Sequence, residues 1–290
     1  MAKQILFFTT RPIAPPWDEA SKNMAFNLAA RIKGYYITLL TLKNSTDLDL
    51  PKHIQSQAIY SSTHFKWPER IRFLRLIKHR GQFSLVHYFC NSSMFKSLLV
   101  NLITKKSVKI VKTMPTFKEL RLNPFLLKAV MKSDKVVVYS QYSKNKLEAA
   151  GVTNTRLIRP GIDIERFKPS DDKNTEALAN LGIKSNDFVI TYPGEYLRLG
   201  DMDTIIKAFI KVSNNVESAK LVLACRIRSK QEAAKKLEVI DTFNSANIGG
   251  SVVYADSVDD MSSLFNLSNV VIFPAEKMSW GKAYCSVDNY

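Results

Sequence analysis

Cysteine is scarce. The 290 residues hold three, Cys90, Cys225 and Cys285, far apart and without a C-x-x-C spacing. That argues against a disulfide framework and a cysteine-based zinc site, and it points to a reducing, cytoplasmic setting. His53, His64 and His79 share no ligand spacing, so no metal site is expected. Long apolar runs are missing as well. The first, Ile5-Leu6-Phe7-Phe8, is far too short for a signal peptide or a membrane span, and no later run reaches spanning length. An integral membrane protein is therefore not expected. There is no internal repeat, no low-complexity tract, and no zinc-finger, RRM or KH signature that would name a nucleic-acid partner.

Acidic residues are scarce in one half only. Residues 1–168 hold 10 Asp and Glu against 29 Lys and Arg, whereas residues 169–290 hold 16 against 13. The whole net charge of +16 thus comes from the first part. Such asymmetry suits an anionic partner for one domain, a membrane surface or nucleic acid, with a general solubility feature as the plain alternative. With 46% hydrophobic and 23% charged residues, the chain has the balance of a globular protein.

What is present is an alternation of apolar runs and helix-like stretches. Strands are expected at residues 3–10, 36–42, 85–89, 108–113 and 135–140. Helices are expected at 21–32, 68–79, 91–102, 125–131 and 143–150. Residues 159–180, with two prolines, a glycine and many polar side chains, suit a linker. A second series follows, with strands at 188–192, 220–225, 252–254 and 270–273 and helices at 201–212, 231–243 and 261–266. The fold class is α/β, two Rossmann-like parallel-sheet domains. Their expected extents are 1–168 and 185–290, joined by 169–184. Such a pair commonly holds a ligand in the interdomain cleft.

Four segments carry a resemblance: Ser140-Gln-Tyr-Ser143, Pro160-Gly161-Ile162-Asp163 with Phe167 and Pro169, Tyr192-Pro193-Gly194-Glu195-Tyr196-Leu197-Arg198, and Val271-Ile-Phe273-Pro274. In order and spacing they resemble the group 1 (family 4) glycosyltransferases of the GT-B fold. The Pro-Gly-Ile-Asp element has a physical sense of its own. Proline fixes φ, glycine permits a positive φ, and aspartate can cap the following turn.

The resemblance implies a retaining, metal-independent sugar transfer from a nucleotide-sugar donor to a glycan or lipid-linked acceptor, with no cofactor. It implies donor binding by Gly194, whose backbone could approach a diphosphate, and by Arg198 as counter-charge. One cation of Arg226-Ile-Arg228-Ser-Lys230, either Arg226 or Lys230, would assist. His87 at the end of its strand would bond a sugar or polarise a leaving group, with a core histidine as the plain alternative.

The loop carrying Asp18, Ser21 and Lys22 would face the acceptor, although Asp18 or Ser21 can equally cap the helix. The chain has no glycine before Gly34, unlike many relatives in this loop. After Pro274 the resemblance implies two glutamates eight positions apart. Here Met278 stands at the first position and Glu276, nearby but out of register, is the donor-binding candidate, while Lys277-Met278-Ser-Trp-Gly281-Lys282 resembles a variant loop. The family's last elements have no counterpart, so a second domain cut short is expected. The alternatives in view are a nucleotide-sugar epimerase and a catalytically dead binder of the same fold.

The segment Phe65–Arg80 is basic and amphipathic. Phe73, Leu74, Leu76 and Ile77 gather on one side, with Phe65 and Trp67 at its start. This reads as an interfacial helix on an anionic membrane, and so as a peripheral, cytoplasmic-face location. The alternative is a helix packed on its own sheet.

Overall fold

The computed structural model describes residues 4–14, 20–43, 50–62, 65–79, 83–89, 107–114, 124–170, 181–197, 201–227, 229–256, 258 and 260–274. The chain divides into two compact units, Met1–Pro160 and Gly161–Tyr290.

In the first unit the apolar runs form strands of one parallel sheet. They are β1 (Gln4–Phe8), β2 (Tyr36–Leu42), β3 (Ile54–Tyr60), β4 (Phe83–Tyr88), β5 (Lys109–Met114), β6 (Lys135–Val138) and β7 (Thr155–Leu157). Their order is β3-β2-β1-β4-β5-β6-β7. The helices are α1 (Ala20–Arg31), α2 (Trp67–His79), α3 (Pro124–Met131) and α4 (Gln141–Ala149). Leu6 and Phe8 point to one face of β1, where they meet α2. Ile5 and Phe7 point to the other, where they pack with Ala25 and Ala29 of α1. A strand covered on both faces reads as a continuous apolar run, which is why β1 and β2 were legible.

The edge strands β3 and β7 were not expected. The middle of β3 is Gln55-Ser56-Gln57, largely exposed, and β7 has three residues. An edge strand lacks the two-sided cover that makes a run apolar. The helix expected at 91–102 lies outside the described residues.

The second unit has the sheet order β10-β9-β8-β11. These are β8 (Phe188–Tyr192), β9 (Ala219–Leu223), β10 (Val252–Tyr254) and β11 (Val270–Val271), with α5 (Met202–Ser213), α6 (Lys230–Ser245) and α7 (Met261–Leu267). Its helices start on side-chain caps, since Asp201, Ser229 and Asp260 accept from the free amides of the first turns.

The segment after Pro160 belongs to this unit. Arg166 pairs with Asp260 at 3.1 Å, Ser262 Oγ donates to the Arg166 carbonyl, and Ser170 N donates to Asn266 Oδ1 at 3.0 Å. Residues 161–168 thus fasten to α7, and the division falls eight residues earlier than the expected boundary. Asp163 accepts from Arg166 N at 3.3 Å, the turn cap its motif suggested. Gly161 is a correction. It has no positive φ, and a Cβ there would meet nothing within 4 Å, so the backbone does not require glycine.

The expectation for α2 is also corrected. Phe73, Leu76 and Ile77 are buried against β1, β3, β4 and β5, and Phe65 packs on the Phe8, Tyr60 and Phe73 rings. The apolar stripe is core. Each such side chain contributes about 1.5–3 kcal/mol by leaving water, more than a reversible surface contact returns. Trp67 alone among the expected anchors stays exposed.

Candidate functional site

In each sheet the chain reverses its direction of winding at one pair of neighbouring strands, β1 and β4 in the first, β8 and β11 in the second. Parallel-sheet proteins bind ligands beyond the carboxyl ends of strands at such points.

At the first edge, His87 sits one residue before the end of β4. Phe7, its register partner, meets its ring edge-on at 5.4 Å, and Phe89 stacks on it at 4.0 Å. Nε2 lies 2.7 Å from Thr113 Oγ1. Burial lowers the imidazole pKa to about 3, so the ring is neutral at ordinary pH. It can exchange hydrogen bonds but carries no charge towards a phosphate.

The loop after β1 is held from three sides. Tyr60 donates its hydroxyl to the Thr9 carbonyl at 2.6 Å, Ile13 N donates to Leu40 O at 2.9 Å, and Lys22 Nζ donates to Ala14 O at 3.0 Å. Lys22, expected on the acceptor side, is buried and serves this loop. Ser21 follows Ala20 inside α1 and is not the residue that precedes the helix. Asp18 lies outside the described residues.

Sequence reasoning passed over Lys112, buried on β5 with its ammonium 5.8 Å from the centre of the Tyr88 ring. The available signal was a lysine in period two with Ile110 and Met114 inside an apolar strand.

At the second edge, the segment after β8 carries Gly194, Glu195 and Tyr196. A Cβ at Gly194 would overlap the Tyr192 phenol, so glycine is needed for this close approach. Burial raises the Cys225 thiol to about 12, with Glu195, Asp256 and Glu232 adding to the shift and the Gly194 backbone opposing it. Cys225 is thus protonated and inert. Arg226, next in the chain, is exposed, as is Lys230, the first residue of α6. Arg198 and Glu276 lie outside the described residues.

The same edge gathers two phenols for which no role was foreseen. Tyr196 and Tyr254 have buried hydroxyls with no hydrogen-bond partner among the described residues. Burial raises both, Tyr254 to about 12, and Tyr196 is further raised by Cys225, Asp256 and Tyr254. Lys236 clamps the strand end beside them, reaching both Asp256 oxygens at 2.6–2.7 Å and lying 5.7 Å over the Tyr254 ring. A buried hydroxyl left unpaired costs about 1–3 kcal/mol, a cost that a ligand oxygen would remove. Among the described residues no group of three or more His, Cys, Asp or Glu side chains could hold a metal ion.

No family model matches the chain. A D-inositol 3-phosphate glycosyltransferase of Corynebacterium kroppenstedtii is 24% identical over 156 residues, 51% of this chain and 35% of that protein. The match thus spans about a third of the curated relative's length.

In fold, the chain is similar to Anabaena Alr3699/HepE solved with UDP-glucose, with a TM-score of 0.74, 14% identity, and coverage of 98% of this chain and 77% of that one. A glycosyltransferase of Rickettsia africae ESF-5 gives 0.69 at 16% identity, covering 94% and 73%. A UDP-GlcNAc 2-epimerase of Methanocaldococcus jannaschii gives 0.56 at 13%, covering 93% and 77%. Strand order, the two-unit division and these likenesses agree: the chain has the GT-B fold and is similar in sequence to glycosyltransferases over half its length.

Proposed function

We propose that the protein transfers a sugar from a nucleotide-sugar donor to a glycan or lipid-linked acceptor, with retention of anomeric configuration and without a metal. The observation that carries this reading is the second edge, where unpartnered phenols and exposed cations share one set of strand ends. The donor binds there. Arg226 or Lys230, with Arg198, neutralises its diphosphate, work that guanidinium and ammonium groups do through charge-assisted hydrogen bonds. Tyr196 and Tyr254 donate to its oxygens.

The acceptor binds at the first edge, with neutral His87 as a hydrogen-bonding group rather than a proton donor. A lipid-linked acceptor would be met at an anionic membrane surface, which the basic first unit and its segment 65–80 favour. No helix among the described residues is long and apolar enough to cross a membrane.

Calorimetric titration with UDP, GDP and their sugars tests the donor site. One nucleotide should bind, about tenfold or more weaker in Arg226→Ala or Lys230→Ala and in Arg198→Ala. No binding of any nucleotide, or equal affinity in all variants, removes the reading. Donor conversion with no acceptor present would favour an epimerase, and binding without any turnover a catalytically dead relative.

A further inference from the structure

The strands that end the two described sheets are β3, β7, β10 and β11. Three of them are short. β7 and β10 have three residues each and β11 has two, and Arg156 stands in the middle of β7. Short length and charge are devices that keep an edge from pairing with another chain. β3 has neither. It runs for seven residues, Ile54-Gln-Ser-Gln-Ala-Ile-Tyr60, without a charge, a proline or a glycine, and Gln55, Ser56 and Ala58 are exposed.

The ladder with β2 fixes which backbone groups of β3 are open. Ile37 N donates to the His53 carbonyl at 3.0 Å, and Ile37 stands opposite Ile54. In a parallel pair, alternate residues turn both backbone groups to the neighbour. His53, Gln55 and Gln57 therefore bond β2, while Ile54, Ser56 and Ala58 turn theirs away. The ends of this outward row are covered. The Pro51 carbonyl takes the Ile54 N–H at 2.8 Å, and Arg72 donates to the Ile59 carbonyl at 2.9 Å. Between those ends Ser56 and Ala58 present N–H and C=O, and Ile54 its C=O.

We propose that β3 pairs antiparallel with β3 of a second copy of this chain, about a two-fold axis at Ser56. The two Ser56 residues exchange both of their bonds, and each Ala58 N–H reaches the other copy's Ile54 carbonyl. A two-fold contact requires a surface that complements itself, and this strand does. Gln55 stands opposite Gln57 on both sides of the axis, amide against amide, and no charge meets a like charge along the pairing. An unrelated extended peptide would take the backbone bonds without the matched amides. The inference is independent of the proposed donor site, which lies on the other unit.

Sedimentation equilibrium of the full chain tests it. The wild type should be a monomer–dimer mixture whose dissociation constant falls as salt rises, because the two basic units repel one another through solvent. Ser56→Pro removes an outward N–H and no bond to β2, and it should raise that constant at least about tenfold. Ser56→Lys sets two cations face to face and should do the same without a proline. Ser56→Ala keeps the backbone groups and should stay within about twofold. In a Cys90→Ser/Cys285→Ser background, a mixture of Gln55→Cys and Gln57→Cys chains should form several times more disulfide than either alone, as the register requires.

Circular dichroism checks that each variant is folded. Nucleotide titration on the same samples, expected unchanged, separates this result from the donor reading. A wild type that stays monomeric at every concentration and salt overturns the proposal. So does a dimer that persists in both Ser56→Pro and Ser56→Lys, which would use another face, or one that weakens as salt rises, which would rest on charge.

Discussion

The two units share a parallel sheet and a switch point, but three polar groups at the first edge and two at the second are met differently. At the first edge the groups close on the protein itself, Tyr60 on Thr9, Lys22 on Ala14 and His87 on Thr113. At the second, Tyr196 and Tyr254 bury hydroxyls that nothing among the described residues answers. Their surfaces differ too, since the units split into a strongly basic part and a slightly acidic one. Moving the boundary from residue 168 to Pro160 leaves that contrast unchanged, because residues 161–168 hold two charges of each sign. Self-satisfied groups stabilise a fold. Groups left open are where a ligand gains most. The contrast therefore supports the proposed donor site on the second unit.

The largest expected effect sharpens the two faces of α2. Phe73→Ala should destabilise the first unit by about 3–5 kcal/mol, through lost burial and the cavity left behind. Trp67→Ala should change it by less than about 0.5 kcal/mol, as for exposed positions generally. Denaturant unfolding followed by circular dichroism reads both. Comparable losses would mean that Trp67 is packed rather than exposed.

Acid should weaken the first unit in two steps. His87 has a folded pKa of about 3, below its unfolded value of about 6.5. Its contribution is complete above 6.5 and is lost as pH falls towards 3, at about 1.4 kcal/mol per pH unit for one proton. Glu69 follows lower down. Burial alone would raise its carboxyl, but hydrogen bonds from the Ser61 hydroxyl, Ser61 N and Lys66 N outweigh it and hold the pKa at about 2. Its contribution is complete above the unfolded value of 4.5 and is lost between there and about 2. Unfolding free energies measured from pH 7 to 3 should fall, and His87→Asn should flatten the part above pH 5. An unchanged slope in that variant would mean the imidazole is protonated in the folded protein.

How much was legible follows the same physics. Strands buried on both faces and helices of clear period were readable from composition alone. Edge strands β3 and β7, which need only one-sided cover, were not. Periodicity found the stripe of α2 but could not say which partner it met, because a sheet and a bilayer ask for the same residues. At the site, the resemblance directed attention to Gly194, Arg226 and His87. Tyr196 and Tyr254 were invisible as candidates, since a tyrosine at a strand end or shortly after one reads as core. What distinguishes them is the absence of a partner for the hydroxyl, a three-dimensional property.

The smallest expected effect tests the comparison most directly, because it uses one atom in each unit. Tyr60→Phe removes a hydroxyl that donates to the Thr9 carbonyl and should cost about 1 kcal/mol, leaving a buried acceptor short of a bond. Tyr196→Phe removes a hydroxyl with no partner among the described residues and should leave ligand-free stability unchanged, or raise it by up to about 1 kcal/mol. Under saturating nucleotide the order should reverse for the second unit. The wild type gains the stabilisation that binding supplies, and Tyr196→Phe gains less by the strength of the lost bond, about fivefold in affinity. Thermal midpoints with and without nucleotide give all four quantities. If Tyr196→Phe weakens the ligand-free protein as much as Tyr60→Phe does, its hydroxyl is already satisfied, and Tyr196 is not an open donor at the second edge.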